Sequence, residues 1–275
     1  MNDVRPLSLA FSPCPNDTFV FNAWVHGLIP GAPAVDVTFA DVDVTNGATE
    51  RGEFDVAKVS YAALPWLLDK YALLPSGGAL GRGVGPLVLT TGRSELRGAT
   101  VAVPGDRTTA YLLFRLWAEK LDVGDIVVMP FPDIMPAVRD GQVDAGLVIH
   151  EARFTYTGYG LTSIVDLGAW WESDTGLPIP LGAIVARREL DHDQLGRTVR
   201  ASVEHAFANP SASREFVAEH ASEMDPDVQA RHIALYVNDF SVDIGDEGYA
   251  AITGLLERAA EAGLVPPVNT ATLRN

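Results

Sequence analysis

The chain has a single cysteine, Cys14, in 275 residues. That excludes a disulfide framework and a zinc site built from several cysteines. Basic residues are also scarce. Lys plus Arg number 20 against 36 Asp plus Glu, a formal charge of −16. A sequence-independent nucleic-acid binder needs a basic footprint, and so does docking on anionic lipid, so no nucleic-acid or membrane partner is expected. No apolar run reaches membrane-spanning length. Residues 7–11 (LSLAF) have strand length, and Pro13 and Pro15 come directly after them. The segment Met1–Pro6 has no basic region leading into a long apolar stretch, so the expected location is the cytoplasm. H-E-x-x-H and similar ligand spacings are missing, and no metal is expected. The Walker pattern and the G-x-S-x-G elbow are missing too. The glycine cluster at 77–85 (GGALGRGVG) precedes a strand rather than a helix, and reads as a loop rather than a dinucleotide fingerprint.

A sizeable core is present, with 47% hydrophobic and 20% charged residues. Short β-branched runs alternate with helical patterns, which indicates an α/β fold. Strands are expected at 7–11, 35–39, 55–61, 85–91, 100–103, 126–129, 144–149 and 181–186. Helices are expected at 19–28, 46–51, 108–120 and 132–140. From Asp191 onward the pattern is helical, over 192–208, 210–222, 225–236 and 246–263. Two pairs of segments match. Residues 7–13 and 100–105 each form a strand that leads into a helix. Arg51-Gly52-Glu53-Phe54-Asp55 and Asp140-Gly141-Gln142-Val143-Asp144 each place a glycine at a helix end and an Asp before a buried strand. This repetition suggests two similar lobes, residues 1–92 plus 187–275 and residues 93–186. Two strands would cross between them, as in a type 2 periplasmic-binding-protein-like fold with the ligand cleft between the lobes. Ligands of such sheets bind beyond the carboxyl ends of the strands. Four loops, 12–18, 58–61, 104–110 and 149–151, would then face one cleft.

The residues in those loops have definite chemistry. In Ser12-Pro13-Cys14-Pro15-Asn16-Asp17-Thr18, the polar residues Asn16, Asp17 and Thr18 can cap the following helix or reach a ligand. Cys14 has no neighbour in sequence that would activate a thiol, and reads as packed and inert. Pro104–Ala110 enters a helix directly from a strand. Its free N–H groups and the hydroxyls of Thr108 and Thr109 make an anion site. In so acidic a chain an anion must be held by such dipoles or by a few cations, of which Lys58 and Arg107 are the candidates. His150 closes a buried strand, where an imidazole can act as general base. The plainer reading is a structural histidine bonded to backbone. His26 lies near a helix end, where a cation suits the dipole. His192, His205, His220 and His232 fall in the C-terminal helices, on surface or packing faces. Trp170 and Trp171 suit packing, with some exposure to the cleft.

Taken together, SPCPNDTF at 12–19, AKVSYAA at 57–63, GGALGRGVGPLVL at 77–89, AVPGDRTTAYLL at 102–113 and AGLVIHEARFTY at 145–156 resemble the 1,4-dihydroxy-6-naphthoate synthases of the futalosine route to menaquinone. DLGAWWE at 166–172 and LPIPLGAI at 177–184 fit as well. The resemblance spans nearly the whole chain. It implies a lyase that cleaves a carbon–carbon bond of cyclic dehypoxanthinylfutalosine, without an organic cofactor, to give 1,4-dihydroxy-6-naphthoate and dihydroxyacetone. It further implies His150 as proton acceptor. Lys58, Val59 and Ser60 match one substrate-binding segment, and Thr109 with Ala110 and Thr108 match a second. Asp17, next to Asn16, matches an acidic residue near the substrate. The partner would be a small carboxylate. Two other readings stand beside this one: a chorismate dehydratase of the same superfamily, and a solute-binding protein that captures a small anion without catalysis.

Overall fold

The computed structural model describes residues 5–222 and 225–274, so the reading of residues 1–4 lies outside the described residues. In chain order the elements are β1 (Leu7–Phe11), α1 (Pro15–Val25), β2 (Val35–Phe39), α2 (Val42–Arg51), β3 (Val56–Ser60), α3 (Leu64–Leu67), β4 (Tyr71–Leu73), β5 (Ala79–Gly81) and β6 (Leu87–Thr90). Next come β7 (Val101–Val103), α4 (Thr109–Trp117), β8 (Ile126–Val128), α5 (Phe131–Arg139), β9 (Ala145–Val148), α6 (Ala152–Thr155), β10 (Thr162–Asp166), α7 (Leu167–Thr175) and β11 (Ile179–Arg187). The chain then runs through α8 (His192–Ala208), α9 (Arg214–His220), α10 (Pro226–Tyr236), α11 (Asp239–Val242) and α12 (Gly245–Glu261).

These strands form two mixed sheets. The first has the order β2-β1-β3-β11-β4, with β5 also paired to β11, and the second has the order β10-β6-β9-β7-β8. In each, two neighbouring parallel pairs form one side: β1 lies between β2 and β3, and β7 between β8 and β9. Antiparallel strands extend both sheets, β11 along β3 and β6 along β9. The C-terminal helices return to the first sheet, where α8, α9 and α10 pack on α1. Leu9, Phe11, Phe21 and Trp24 meet Leu195, Val199 and Val203 there in one buried cluster.

The matched sequence segments have a matched physical basis. Asp55 accepts a hydrogen bond from the Ser8 N–H at 2.9 Å, and Asp144 accepts one from the Thr100 N–H at 2.9 Å. Asp55 thus ties the entry of β3 to the start of β1, and Asp144 ties the entry of β9 to the start of β7. Each is paired with an arginine upstream, Arg5 with Asp55 and Arg93 with Asp144. Gly52 and Gly141 both have positive φ (80° and 69°), which lets the chain reverse out of the preceding helix without a Cβ penalty.

Several expectations are corrected. Helix α1 begins at Pro15, not Phe19, because proline suits the first helical turn and Cys14 takes the extended N-cap conformation. Asn16 and Asp17 therefore lie inside the first turn and do not cap it. Helix α2 starts at Val42 rather than Asn46. The glycine cluster contains a short strand, β5, where only a loop was expected. Strands β4 and β10 and helix α7 were not expected at all. Taking the sheets as the cores of the two lobes, we draw the crossings at about residues 82–86 and 177–178 rather than at 92 and 186. Strand β6 joins the second sheet and β11 the first. No helix among the described residues is long and apolar enough to cross a membrane.

Candidate active site

One cavity between the two sheets is lined by Asn16, Asp17, Lys58, Val59, Ser60, Thr108, Thr109, Ala110 and His150. All four loops expected to face a cleft contribute to it. Each arrives at or just beyond the carboxyl end of a strand: β1, β3, β7 and β9.

The floor carries a buried ion pair. Lys58 Nζ lies 3.1 Å from Asp17 Oδ1 and donates to the Gly77 carbonyl at 2.7 Å. An ammonium has three N–H bonds, so one is left for a ligand. Asp17 is also held by Ser12, whose hydroxyl donates to Oδ2 at 2.9 Å, and by Asn16, whose amide donates to Oδ1 at 2.8 Å. Burying two charges is tolerable only with such complete pairing. Gly77 is required here. Its φ is 77°, and a Cβ would stand 2.2 Å from Ile184 Cδ1. A side chain would displace the very carbonyl that receives Lys58.

Ser60, at the end of β3, is locked by Asn46. The Ser60 N–H donates to Asn46 Oδ1 at 2.8 Å, and Asn46 Nδ2 donates to Ser60 Oγ at 3.1 Å. The Ser60 hydroxyl hydrogen is thereby left for another acceptor. Asn46 Nδ2 also reaches the Arg107 carbonyl at 3.3 Å, tying the two sides of the cavity together.

The start of α4 supplies the opposite wall. Thr108 is the N-cap, and its Oγ1 accepts from the Tyr111 N–H at 3.1 Å. The N–H groups of Thr109 and Ala110 are the first two of the helix and form no hydrogen bond among the described residues. They are oriented donors at the positive end of the helix dipole. Thr109 Oγ1 donates to the Leu181 carbonyl at 2.8 Å and accepts from the Ala62 N–H at 3.2 Å, a second tie across the cavity. Arg107 is not part of the cavity. Its guanidinium pairs with Glu50 at 3.0 Å and stacks on Trp66. The expectation that it holds an anion in the cleft is corrected, because Glu50 and Trp66 draw it to the outer face.

His150 lies just past β9 and is the one non-glycine among the described residues with positive φ, 53°. Such a backbone is strained and persists only where its surroundings over-determine it. Three contacts fix the ring. Nδ1 lies 3.6 Å from Cys14 Sγ, Phe131 meets the ring edge-on at 5.5 Å, and His232 lies parallel at 6.1 Å. Burial pushes the Cys14 thiol well up from its ordinary value, and the charge of Glu151 adds to this. The thiol therefore stays protonated and is a poor nucleophile.

His232 is the residue whose role sequence reasoning missed. Of the two faces it was assigned, surface or packing, it lies on the packing one, fully buried beside His150. Asp17 can only accept, so Asn16 turns its NH2 toward Asp17 and its Oδ1 toward His232. His232 Nε2 must then carry the hydrogen that it donates to Asn16 Oδ1 at 2.9 Å. Burial, followed by the charge of His150, pushes the pKa of His232 down to about 3. Its signal in the sequence is positional. Val228, Gln229, His232 and Tyr236 share the buried face of α10, and two polar residues on such a face need partners. Asn46 was also missed. Neither tryptophan of the tandem lines the cavity. Trp171 is buried and donates its indole N–H to the Pro178 carbonyl at 3.0 Å.

A family model described as "Menaquinone biosynthesis" matches residues 7–261. The chain belongs to that family. Within the menaquinone-biosynthesis family, a 1,4-dihydroxy-6-naphtoate synthase of Streptomyces coelicolor is 66% identical over 267 residues, covering 94% of this chain and 95% of that protein. A 1,4-dihydroxy-6-naphtoate synthase of Thermus thermophilus is 47% identical over 269 residues, covering 96% of this chain and 97% of that protein. A crystal structure of an Archaeoglobus fulgidus protein superimposes with a TM-score of 0.89 at 34% identity, over 94% of this chain and 98% of that one. A Candida albicans protein described as having the generic periplasmic binding protein fold matches with a TM-score of 0.71 at 12% identity, over 98% of this chain and 94% of that one. The two-lobed binding-protein-like architecture expected from the sequence is thereby established.

Proposed function

We propose that this protein is a 1,4-dihydroxy-6-naphthoate synthase: a lyase that converts cyclic dehypoxanthinylfutalosine to 1,4-dihydroxy-6-naphthoate and dihydroxyacetone. The observation that carries this reading is the convergence of His150, the start of α4, Ser60 and the Asp17–Lys58 pair on one cavity. The chain that holds them is 66% identical to a synthase of that name.

The roles rest on the geometry. The substrate carboxylate lies against the free N–H groups of Thr109 and Ala110 and the Ser60 hydroxyl. Lys58 contributes its remaining N–H bond, but its charge is already balanced by Asp17. The anion is therefore held mainly by dipoles, which suits a protein of charge −16. His150 removes a proton from the sugar-derived part of the substrate. The anion so formed collapses with cleavage of the carbon–carbon bond, releasing the three-carbon fragment. Aromatisation of the remaining ring drives the step. Contacts across the cavity through Thr109 and Asn46 tie its walls together around the substrate, and closure of the cleft excludes water. A biosynthetic role of this kind places the protein in the cytoplasm.

Incubating the purified protein with cyclic dehypoxanthinylfutalosine, and monitoring dihydroxyacetone, tests the assignment. Release of dihydroxyacetone supports it. A solute-binding protein would bind and release the compound unchanged, and a chorismate dehydratase would turn over chorismate instead.

A further inference from the structure

A second pocket shares His150 with the first and is lined by Cys14, Asp41, Phe131 and Glu151 among others. The donor atoms of Cys14, His150 and Glu151 there lie within 4.8 Å of one another. We propose that these three residues form a binding site for Zn2+, and that its occupancy takes His150 out of service as a base.

Geometry supports the site first. A tetrahedral zinc with its usual bond lengths to sulfur and nitrogen sets those two atoms about 3.5 Å apart. Cys14 Sγ and His150 Nδ1 are 3.6 Å apart. The three residues come from two places, the N-cap of α1 and the turn after β9, and the fold gathers their donors within 4.8 Å. Three protein ligands leave the fourth corner for water.

Electrostatics gives an independent reason. His232 carries its hydrogen on Nε2, so its Nδ1 presents a lone pair. That atom lies 3.9 Å from Glu151 Oε2, and neither has a hydrogen-bond partner among the described residues. Glu151 Oε2 is thus a buried oxygen with no donor, which a bound cation satisfies. His232 is completely buried, so its nitrogen cannot turn to solvent.

The donor set selects the metal. Thiolate and imidazole favour zinc and other borderline ions over Mg2+ and Ca2+, which prefer oxygen. Binding forms a zinc–sulfur bond, and the Cys14 proton passes to solvent. Asp41 in the wall of this pocket adds negative charge that favours a cation. The residues are far apart in the chain, which is why no ligand spacing announces them.

The inhibitory half of this proposal rests on the assignment of His150 as base; the binding half does not. The test uses the full-length protein, freed of metal with a chelator and then titrated with Co2+ as a spectroscopic stand-in and with Zn2+. Expected are a thiolate-to-cobalt charge-transfer band in the near ultraviolet and one Zn2+ bound per chain. Cys14→Ser should abolish the band, and Glu151→Gln should weaken Zn2+ binding by roughly a hundredfold. Absence of the band, or its persistence in Cys14→Ser, overturns the site. Zn2+ should suppress turnover of the unmodified protein, and a chelator should restore it. Binding without suppression overturns the capture of His150. A cobalt band in a protein that releases no dihydroxyacetone leaves the site standing and faults the functional reading instead.

Discussion

The imidazole rings of His150 and His232 lie 6.1 Å apart, with their planes 13° from parallel. One ring faces the cavity and the other is sealed behind it. His232 continues through Asn16 to Asp17 and so to Lys58, a chain of polar contacts from behind the base to the floor of the site. A residue of the C-terminal helices thus helps to set the position of groups from three other segments.

The assignment of His150 as the proton acceptor makes a kinetic prediction. His150→Ala should lower kcat by roughly 10²–10⁴-fold, the range for a lost general base, with little change in substrate affinity. Single-turnover measurement together with equilibrium binding separates the two. A variant that keeps most of its turnover would remove His150 from the mechanism.

His232 should make stability depend on pH. Its folded pKa, about 3, lies below the ordinary 6.5. Between these values the unfolded chain binds more protons, so stability rises with pH across that window. The contribution is fully present above the unfolded value and is lost as pH falls toward the folded one. Between about pH 7 and about pH 5 the loss comes to about 2 kcal/mol. His232→Gln keeps an N–H for Asn16 but cannot titrate. Urea denaturation at the two pH values should show the unmodified protein losing about that much more stability than the variant. Equal losses would show that His232 is not held neutral.

The parts of the fold with strong local chemistry were legible in the sequence. Asp55 and Asp144 were visible as a repeated spacing, because each must meet a strand start at the same distance. The cavity loops were legible because polar residues end buried strands. Asn16 and Asp17 were read as caps or ligand contacts; the helix already opens at Pro15, so they lie in its first turn and line the cavity. His232 and the Cys14–His150 contact depend on packing between segments more than a hundred residues apart, 216 for His232 and Asn16 and 136 for Cys14 and His150. No periodicity carries that information. Arg107 failed for a related reason, since Trp66 and Glu50 compete for it on the outer face.

The Asp17–Lys58 pair should be strongly coupled. Asp17→Asn leaves a buried ammonium without its counter-charge, and Lys58→Met leaves a buried carboxylate with only neutral donors. Each should cost about 3–5 kcal/mol in urea denaturation. The double variant removes both charges and should lose clearly less than the sum. Additive losses would mean that the two charges do not depend on each other.

The backbone donors at the start of α4 can be tested apart from their side chains. Thr109 is the first helical residue, and Thr108 before it has extended backbone, φ −82° and ψ 149°, which a following proline requires. Thr109→Pro therefore fits the helix while deleting one N–H from the proposed carboxylate site. Thr109→Ala keeps that N–H, and both variants lose the hydroxyl contacts to Leu181 and Ala62. Their stabilities should be similar, whereas KM should be roughly tenfold higher for proline than for alanine, the value of about 1.4 kcal/mol for one charge-assisted hydrogen bond. Equal KM values in two stable variants would show that the substrate anion lies elsewhere, because proline lacks the N–H that alanine keeps.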